Sequence, residues 1–143
     1  MVDYAHTPNG ITKLLNFVHT LDIKRSIVVI GQAGERDYLK RPQVGNVVVN
    51  NATYAIFTAE DPRSEDPMDI CNDIIKELKE DHDNYEIVID RREAIQKAIN
   101  MAEPGDMVLV LGKGNETYEK LKNETIYFND MEEAYKAVEE RES

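Results

Sequence analysis

Cysteine and tryptophan are nearly absent from this sequence: Cys71 is the single cysteine among 143 residues, and there is no tryptophan. One cysteine can neither close an intrachain disulfide nor supply a cysteine-cluster zinc or iron–sulfur site. Cys71 lies among Ile70, Ile74 and Ile75, so we predict a buried core thiol rather than a nucleophile. Stability must then come from an apolar core, and 41% hydrophobic residues suffice for one domain of this length.

Long apolar runs and an excess of positive charge are also missing. No stretch approaches the ~18 apolar residues that suggest a membrane-spanning helix. The N-terminus has no basic segment followed by an apolar run, so we expect no signal peptide and a cytoplasmic location. With 17 basic and 28 acidic residues the net charge is -11, which disfavours nucleic acids and membrane surfaces as partners because both are anionic.

Short apolar runs alternate with helical periodicity along the chain. Five of them are rich in β-branched or aromatic residues: 27–30, 54–58, 86–89, 107–111 and 125–128. Residues 2–5 resemble the end of a further strand. Such continuous runs are typical of strands buried on both faces, and their alternation with helices indicates an α/β domain. We therefore predict a single Rossmann-like domain with a mostly parallel sheet of about six strands, the last antiparallel, and helices on both faces.

Helix start signals follow most of these runs. They occur at Thr7-Pro8, Asp66-Pro67, Asp90 with Glu93, and Asn129 or Asp130. A side-chain oxygen at such a position accepts a backbone N–H, and proline suits the first helical position. In the last helix we expect one apolar face, made of Met131, Ala134, Tyr135 and Val138. Residues 42–51 stay open, because Val47-Val48-Val49 favours a strand whereas Pro42 could begin a helix.

The polar motifs of the chain follow four of the predicted strands. They are 3–8, 31–37 with 40–42, 60–67, and 112–116. Because ligands of open parallel sheets bind beyond the carboxyl ends of the strands, we expect these four segments to form one site. Gly112-Lys113-Gly114 lacks the spacing of a phosphate-binding P-loop, so it does not by itself predict a nucleotide site.

These motifs combine charges of both signs. Arg36 and Arg63 can each form a bidentate pair with a carboxylate. Glu60, Asp61 and Glu116 suit an ammonium group. A pocket with both kinds of side chain suits an amino acid, which is a zwitterion. The three histidines are widely separated and no Ser-His-Asp set is apparent, so we predict a domain that binds and orients, with no metal site and no catalytic residue of its own.

Five motifs carry a family resemblance. They are Val2-Asp3-Tyr4-Ala5-His6-Thr7-Pro8, Gly34-Glu35-Arg36-Asp37 with Lys40-Arg41-Pro42, Asp61-Pro62-Arg63 with Glu65-Asp66-Pro67, Pro104-Gly105-Asp106, and Gly112-Lys113-Gly114 with Glu116 and Tyr118. In this order and with similar gaps they resemble the C-terminal domain of the Mur ligases. The closest type is MurE, UDP-N-acetylmuramyl-tripeptide synthetase. The resemblance covers nearly the whole chain.

The resemblance implies that residues 1–143 are the third domain of a longer ligase. In such ligases a first domain holds the UDP-sugar and a central domain carries the P-loop and the Mg²⁺ ligands. ATP phosphorylates the free carboxylate of a UDP-muramyl dipeptide, and the amine of a diamino acid attacks the acyl phosphate. The expected partners are therefore ATP, Mg²⁺, the UDP-muramyl dipeptide, the diamino acid and the upstream domains. The isolated domain is expected to be inactive.

The resemblance also implies roles for individual residues. Asp3 would bond the ATP ribose and His6 would lie close to the nucleotide. The incoming amino acid would be bound by Arg36, Glu60, Asp61, Arg63, Gly112 and Glu116. Glu60-Asp61-Pro62-Arg63 replaces the Asp-Asn-Pro-Arg that is usual where meso-diaminopimelate is used, and Asn115 replaces a usual His. Meso-diaminopimelate is the first expectation, and L-lysine stays open as the second.

Two other interpretations remain. One is a related Mur-type ligase domain with another substrate. The other is a non-catalytic acidic α/β module that binds a ligand or accepts a phosphoryl group, with Asp61, Asp90 and Lys113 as its acids and lysine. The second leaves the two arginine loops without a role.

Overall fold

A computed structural model describes residues 1–36 and 38–142. Asp37, part of the second motif above, lies outside the described residues. Within the described residues the main sheet has five parallel strands, β1 Val2–Asp3, β2 Ser26–Ile30, β3 Tyr54–Phe57, β4 Tyr85–Ile87 and β5 Met107–Leu111. Their order in the sheet is β1-β5-β2-β3-β4. Every residue of β2, the central strand, is buried, as its continuous apolar run predicts.

In the part of the chain that the structure describes, five α-helices complete the domain. They are α1 Pro8–Val18, α2 Arg41–Asn51, α3 Pro67–Ile75, α4 Arg91–Met101 and α5 Asp130–Glu142. One apolar core lies between the sheet and α1, α2 and α3, and a second lies between the opposite face and α4 and α5. The predicted α/β class with helices on both faces is confirmed. No helix within the described residues is long and apolar enough to span a membrane.

The predicted helix caps are confirmed. Side-chain oxygens of Thr7, Asp66 and Asp90 accept backbone N–H groups at the starts of α1, α3 and α4. Of the two candidates before the last helix, Asn129 is the cap, because its Oδ1 accepts the Glu132 N–H at 3.0 Å.

The open segment 42–51 is helical and belongs to α2. Val44 and Val48 are fully buried on one side of this helix. A Cβ on Gly45 would lie 2.0 Å from the Ile74 carbonyl oxygen, so this glycine allows α2 to pack closely against α3. Cys71 is buried in the same core, as predicted, and burial raises the pKa of its thiol to about 12.

The last predicted strand lies outside the main sheet. Residues 125–127 form β7, which pairs antiparallel with β6, Tyr118–Lys120, as a separate hairpin. The main sheet therefore has five strands rather than about six. The physical reason is that β5 is already flanked by β1 and β2, so the chain leaving β5 finds no free edge beside it and pairs locally.

The prediction of which side of α5 is buried is wrong in part. Met131, Tyr135 and Val138 are 46%, 65% and 40% exposed, while the acidic residues Asp130 and Glu133 are buried. The cause is electrostatic. Asp130 and Glu133 form ion pairs with Arg91 and Arg92 of α4, and these pairs turn the acidic side of α5 inward.

Candidate functional site

A cleft of about 390 Å³ opens at the carboxyl ends of the parallel strands. Seven of the eight predicted site residues line it: His6, Arg36, Glu60, Asp61, Arg63, Gly112 and Glu116. Asp3 is the exception. It ends β1, and its Oδ1 accepts the Ala5 N–H at 2.9 Å. The fold thus brings loops from four strand ends to one place, as the parallel topology predicts, while the roles of the individual residues stay predictions.

The two arginine loops are bonded to each other. Gly34 donates its N–H to the Asp61 carbonyl at 3.0 Å, and Arg63 Nη1 donates to the Gly34 carbonyl at 2.8 Å. A Cβ on Gly34 would lie 1.9 Å from the Pro62 carbonyl oxygen, so the backbones touch. Glu35, Asp61 and Arg63 all have positive φ, at 59°, 39° and 53°. Such strain in non-glycine residues is typical of functional loops held by their surroundings.

Arg41 anchors the same loops from below. It is 2% exposed, and its guanidinium pairs with Glu65 at 2.9 Å and with Asp73 at 3.0 Å. It also donates to the Ala33 carbonyl at 3.1 Å. No individual role was predicted for this arginine, which belongs to the Lys40-Arg41-Pro42 motif. The signal available in the sequence was its position just before Pro42, at the residue that begins α2.

Lys113 organises the acidic side of the cleft. Its side chain is 1% exposed, and its Nζ lies 2.9 Å from Asp61 Oδ1 and 3.3 Å from Glu116 Oε1. Asp61 Oδ1 also accepts the Lys120 N–H at 2.8 Å. The carboxylate of Asp61 therefore already has a cationic partner before any ligand binds. The sequence placed Lys113 in the motif expected at this site, but an individual role was predicted for it only in the alternative phosphoacceptor site, and its pairing with Asp61 and Glu116 was missed.

Glu60 is the buried carboxyl of the cleft. It is 6% exposed, and its Oε1 has no hydrogen-bond partner within the described residues. Burial raises the pKa of Glu60 to about 7, although the nearby Arg91 and Lys113 lower it. Gly112 has a φ of 111°, and a Cβ there would lie 1.8 Å from Glu60 Oε1. The glycine therefore leaves the space that this carboxyl occupies.

The raised pKa of Glu60 predicts a pH-dependent stability. Between pH 4.5 and about 7 the unfolded chain is ionised at Glu60 while the folded chain retains the proton. The contribution of Glu60 to the free energy of unfolding should therefore fall by about 3 kcal/mol across this window as pH rises. Glu60→Gln removes the titration, so urea unfolding at a series of pH values should show a flatter profile for the variant. Parallel profiles for the two proteins would contradict this assignment.

A buried ion pair supports the cleft from behind. Arg91 and Asp130 are 1% and 0% exposed and meet at 2.7 Å. Arg91 also donates to the carbonyls of Ala59 and Leu111, which follow β3 and end β5. It therefore ties two strand ends to the start of α5. The only sequence signal for this role of Arg91 is its place in the first turn of a helix, where a positive charge interacts unfavourably with the helix dipole.

The rim beside β1 is formed by Tyr4. Its hydroxyl donates to Asn115 Oδ1. Its ring packs on Gly114, where a Cβ would lie 2.5 Å from the ring carbons. His6 stands next to it, with Nδ1 2.9 Å from the Tyr4 carbonyl oxygen. Asn115, the departure from the family's usual His, thus contacts the loop that carries the expected nucleotide-binding residues.

The described residues contain no group of three or more His, Cys, Asp or Glu arranged to hold a metal ion. Two of the carboxylates that line the cleft, Asp61 and Glu116, already have Lys113 Nζ as a partner, at 2.9 Å and 3.3 Å. These two carboxylates therefore do not fit a Mg²⁺ site.

Comparison with known proteins identifies the family of the chain. Residues 1–114 match the model of the Mur ligase, glutamate ligase domain. The chain is 48% identical over 139 residues to the UDP-N-acetylmuramoyl-L-alanyl-D-glutamate--2,6-diaminopimelate ligase of Clostridium perfringens, covering 97% of this chain and 28% of that protein. The Listeria monocytogenes enzyme of the same name is 44% identical over 141 residues, covering 99% and 28%.

Solved structures give a consistent result. A structure of a UDP-N-acetylmuramoyl-L-alanyl-D-glutamate--2,6-diaminopimelate ligase superposes with a TM-score of 0.94 at 32% identity, over 99% of this chain and 29% of that one. FolC of E. coli with ADP shares the fold, with a TM-score of 0.57 at 21% identity, over 78% and 25%. The chain spans less than a third of these relatives. It belongs to the Mur ligase family, as the glutamate ligase domain of that family.

Proposed function

We propose that residues 1–143 are the amino-acid-binding domain of an ATP-dependent ligase of peptidoglycan synthesis. The ligase adds a diamino acid, with meso-diaminopimelate first and L-lysine second, to UDP-N-acetylmuramyl-L-alanyl-D-glutamate. A UDP-sugar domain and a central ATPase domain complete the enzyme. A cytoplasmic location belongs to the same proposal, because the reaction consumes ATP.

The observation that best supports this proposal is the combination of charges that line the cleft. Arg36, Arg63 and the carboxylates of Asp61 and Glu116 all line it. Meso-diaminopimelate has two carboxylates and two amines. Two arginines match the two carboxylates, and the acidic side matches one ammonium group. The second amine must be neutral to react, so it needs no anionic partner.

The reaction then depends mainly on how the amine is positioned relative to the acyl phosphate. ATP phosphorylates the carboxylate of the UDP-dipeptide and releases ADP. The neutral amine attacks the acyl phosphate, so a C–N bond forms, the C–O bond to phosphate breaks, and the nitrogen loses a proton. Holding the amine beside the acyl phosphate can contribute on the order of 7–11 kcal/mol. In this proposal Asp3 and His6 close over the nucleotide while the cleft holds the amino acid.

The phosphoacceptor alternative fits the geometry less well. Asp61 and Lys113 are paired with each other at 2.9 Å. Asp90 does not line the cleft, and its carboxylate caps α4 by accepting the Glu93 N–H. The three residues therefore do not form one acidic pocket with a free lysine.

The test is amino-acid-dependent ADP release by the full-length ligase. With ATP and UDP-N-acetylmuramyl-L-alanyl-D-glutamate present, we expect release to depend on meso-diaminopimelate and to be much slower with L-lysine. L-glutamate, which lacks the second amine, should not support it. The 143-residue chain alone should neither hydrolyse ATP nor form the amide. Release that depends on none of these amino acids, or robust ATP turnover by the chain alone, would overturn the proposal.

A further inference from the structure

The buried ammonium of Lys113 joins two loops that are distant in sequence. Asp61 follows β3 and Glu116 follows β5, and their carboxylates lie 2.9 Å and 3.3 Å from the same Nζ. The side chain of Lys113 is 1% exposed, whereas those of Asp61 and Glu116 are 10% and 33% exposed. The lysine therefore lies behind the two carboxylates, which face the cleft. We call these three residues the Lys113 triad.

The charges of the triad do not cancel. Two carboxylates and one ammonium leave one negative charge at the cleft wall. This residual charge suits one ammonium group of a ligand. Without Lys113 the wall would carry two negative charges, and with an amide at position 61 it would carry none.

We propose that Lys113 is a positioning residue that determines specificity by fixing this single negative charge. The inference rests on the proposed function and deepens it. A diamino acid with two carboxylates is neutral overall, whereas one with a single carboxylate, such as L-lysine, is a cation. Each negative charge added to the wall favours the cation. By neutralising one of the two carboxylates, Lys113 favours the neutral diamino diacid.

The contacts of Asp61 allow a variant that changes the charge of this residue and keeps its hydrogen bonds. Both of its hydrogen-bond donors, Lys113 Nζ and the Lys120 N–H, contact the same oxygen, Oδ1. The amide oxygen of asparagine can accept both, so Asp61→Asn changes the charge of the wall by one unit and leaves these two bonds in place. Lys113→Met changes the charge by one unit in the opposite direction. Lys113→Arg keeps the charge.

The experiment measures kcat/KM for meso-diaminopimelate and L-lysine in the full-length ligase. Where turnover of L-lysine is too slow, its inhibition constant against meso-diaminopimelate replaces it. We expect Lys113→Met to shift the preference toward L-lysine by about tenfold or more, the effect of one charge at several ångström in a cleft with a dielectric constant of about 20. Asp61→Asn should shift it by a similar factor toward meso-diaminopimelate. The double variant should return close to the wild-type preference.

Controls separate this inference from a structural role and from the proposed function. Lys97→Met, at a half-exposed lysine of α4, and Lys113→Arg should keep the wild-type preference. Should Lys113→Met fail to fold, Asp61→Asn alone decides. An unchanged preference in Asp61→Asn, or shifts of the same sign in both single variants, would overturn the role of Lys113 while leaving the proposed function intact. A wild-type ligase that uses neither amino acid would overturn both.

Discussion

Replacing Arg63 by alanine in the full-length ligase should raise the KM for meso-diaminopimelate by tens of fold or more. One Arg63 nitrogen donates to the Gly34 carbonyl at 2.8 Å, which holds the half-buried guanidinium at the cleft wall. Removing it leaves a partly desolvated ligand carboxylate without a partner, a loss of about 2–5 kcal/mol. The KM for ATP should stay nearly unchanged. Steady-state kinetics with each substrate varied in turn is the measurement.

L-lysine is the sensitive control for this variant, since it lacks the distal carboxylate. The Arg63→Ala variant should therefore lose much of its preference for meso-diaminopimelate over L-lysine. Arg63→Lys should recover only part of that preference, because an ammonium group cannot form the bidentate contact of a guanidinium. The rival explanation, a surface pair of Arg63 with Glu65 or Asp66, does not fit the structure. Glu65 pairs with Arg41, and Asp66 caps α3. Wild-type discrimination in Arg63→Ala would remove the main support for diaminopimelate.

The largest expected effect on stability comes from Asp130. Asp130→Ala leaves the guanidinium of Arg91 buried without its counter-ion, because the two side chains are 0% and 1% exposed. Removing one partner of such a pair typically costs about 3–5 kcal/mol in the free energy of unfolding. Urea unfolding of the chain at constant pH measures it. The two carbonyls that Arg91 also contacts should limit the loss without abolishing it.

A neighbouring ion pair gives a matched control. Arg92 pairs with Glu133 at 2.8 Å on the same pair of helices, but its side chain is 56% exposed. The Glu133 side chain is only 7% exposed, but Lys136 Nζ lies 3.8 Å from it as a second partner, so Arg92→Ala should lower the free energy of unfolding by less than Asp130→Ala does. Equal losses in the two variants would contradict the argument that burial of the pair sets its effect.

The strands and helix starts could be predicted because their signals are local. The run at 27–30 and the Thr7-Pro8 cap each depend on residues adjacent in the sequence. The parallel sheet then brought seven predicted residues to one cleft. The hydrophobic pattern alone left 42–51 open, because a valine run suits either a strand or a buried helix, and the close approach of Gly45 to Ile74 of α3 joins residues distant in the sequence.

The charged contacts could not be predicted because they join distant residues. Arg91 and Asp130 are separated by 39 positions, and Lys113 and Asp61 by 52. No periodicity links such pairs. The orientation of α5 depended on the first of them, so the apolar stripe at Met131, Tyr135 and Val138 predicted the wrong buried face. The pairing of Asp61 could not be predicted for the same reason. Its carboxylate is paired with Lys113 and is not an isolated acid.

The position of the bound amino acid decides whether this domain holds the substrate. The measurement is a crystal structure of the full-length ligase with meso-diaminopimelate and a non-hydrolysable ATP analogue. We expect the amino acid in the cleft of this domain, with its carboxylates on Arg36 and Arg63 and one ammonium group beside Glu116 and Asp61. An amino acid bound outside this cleft, or one whose carboxylates contact neither arginine, would contradict it.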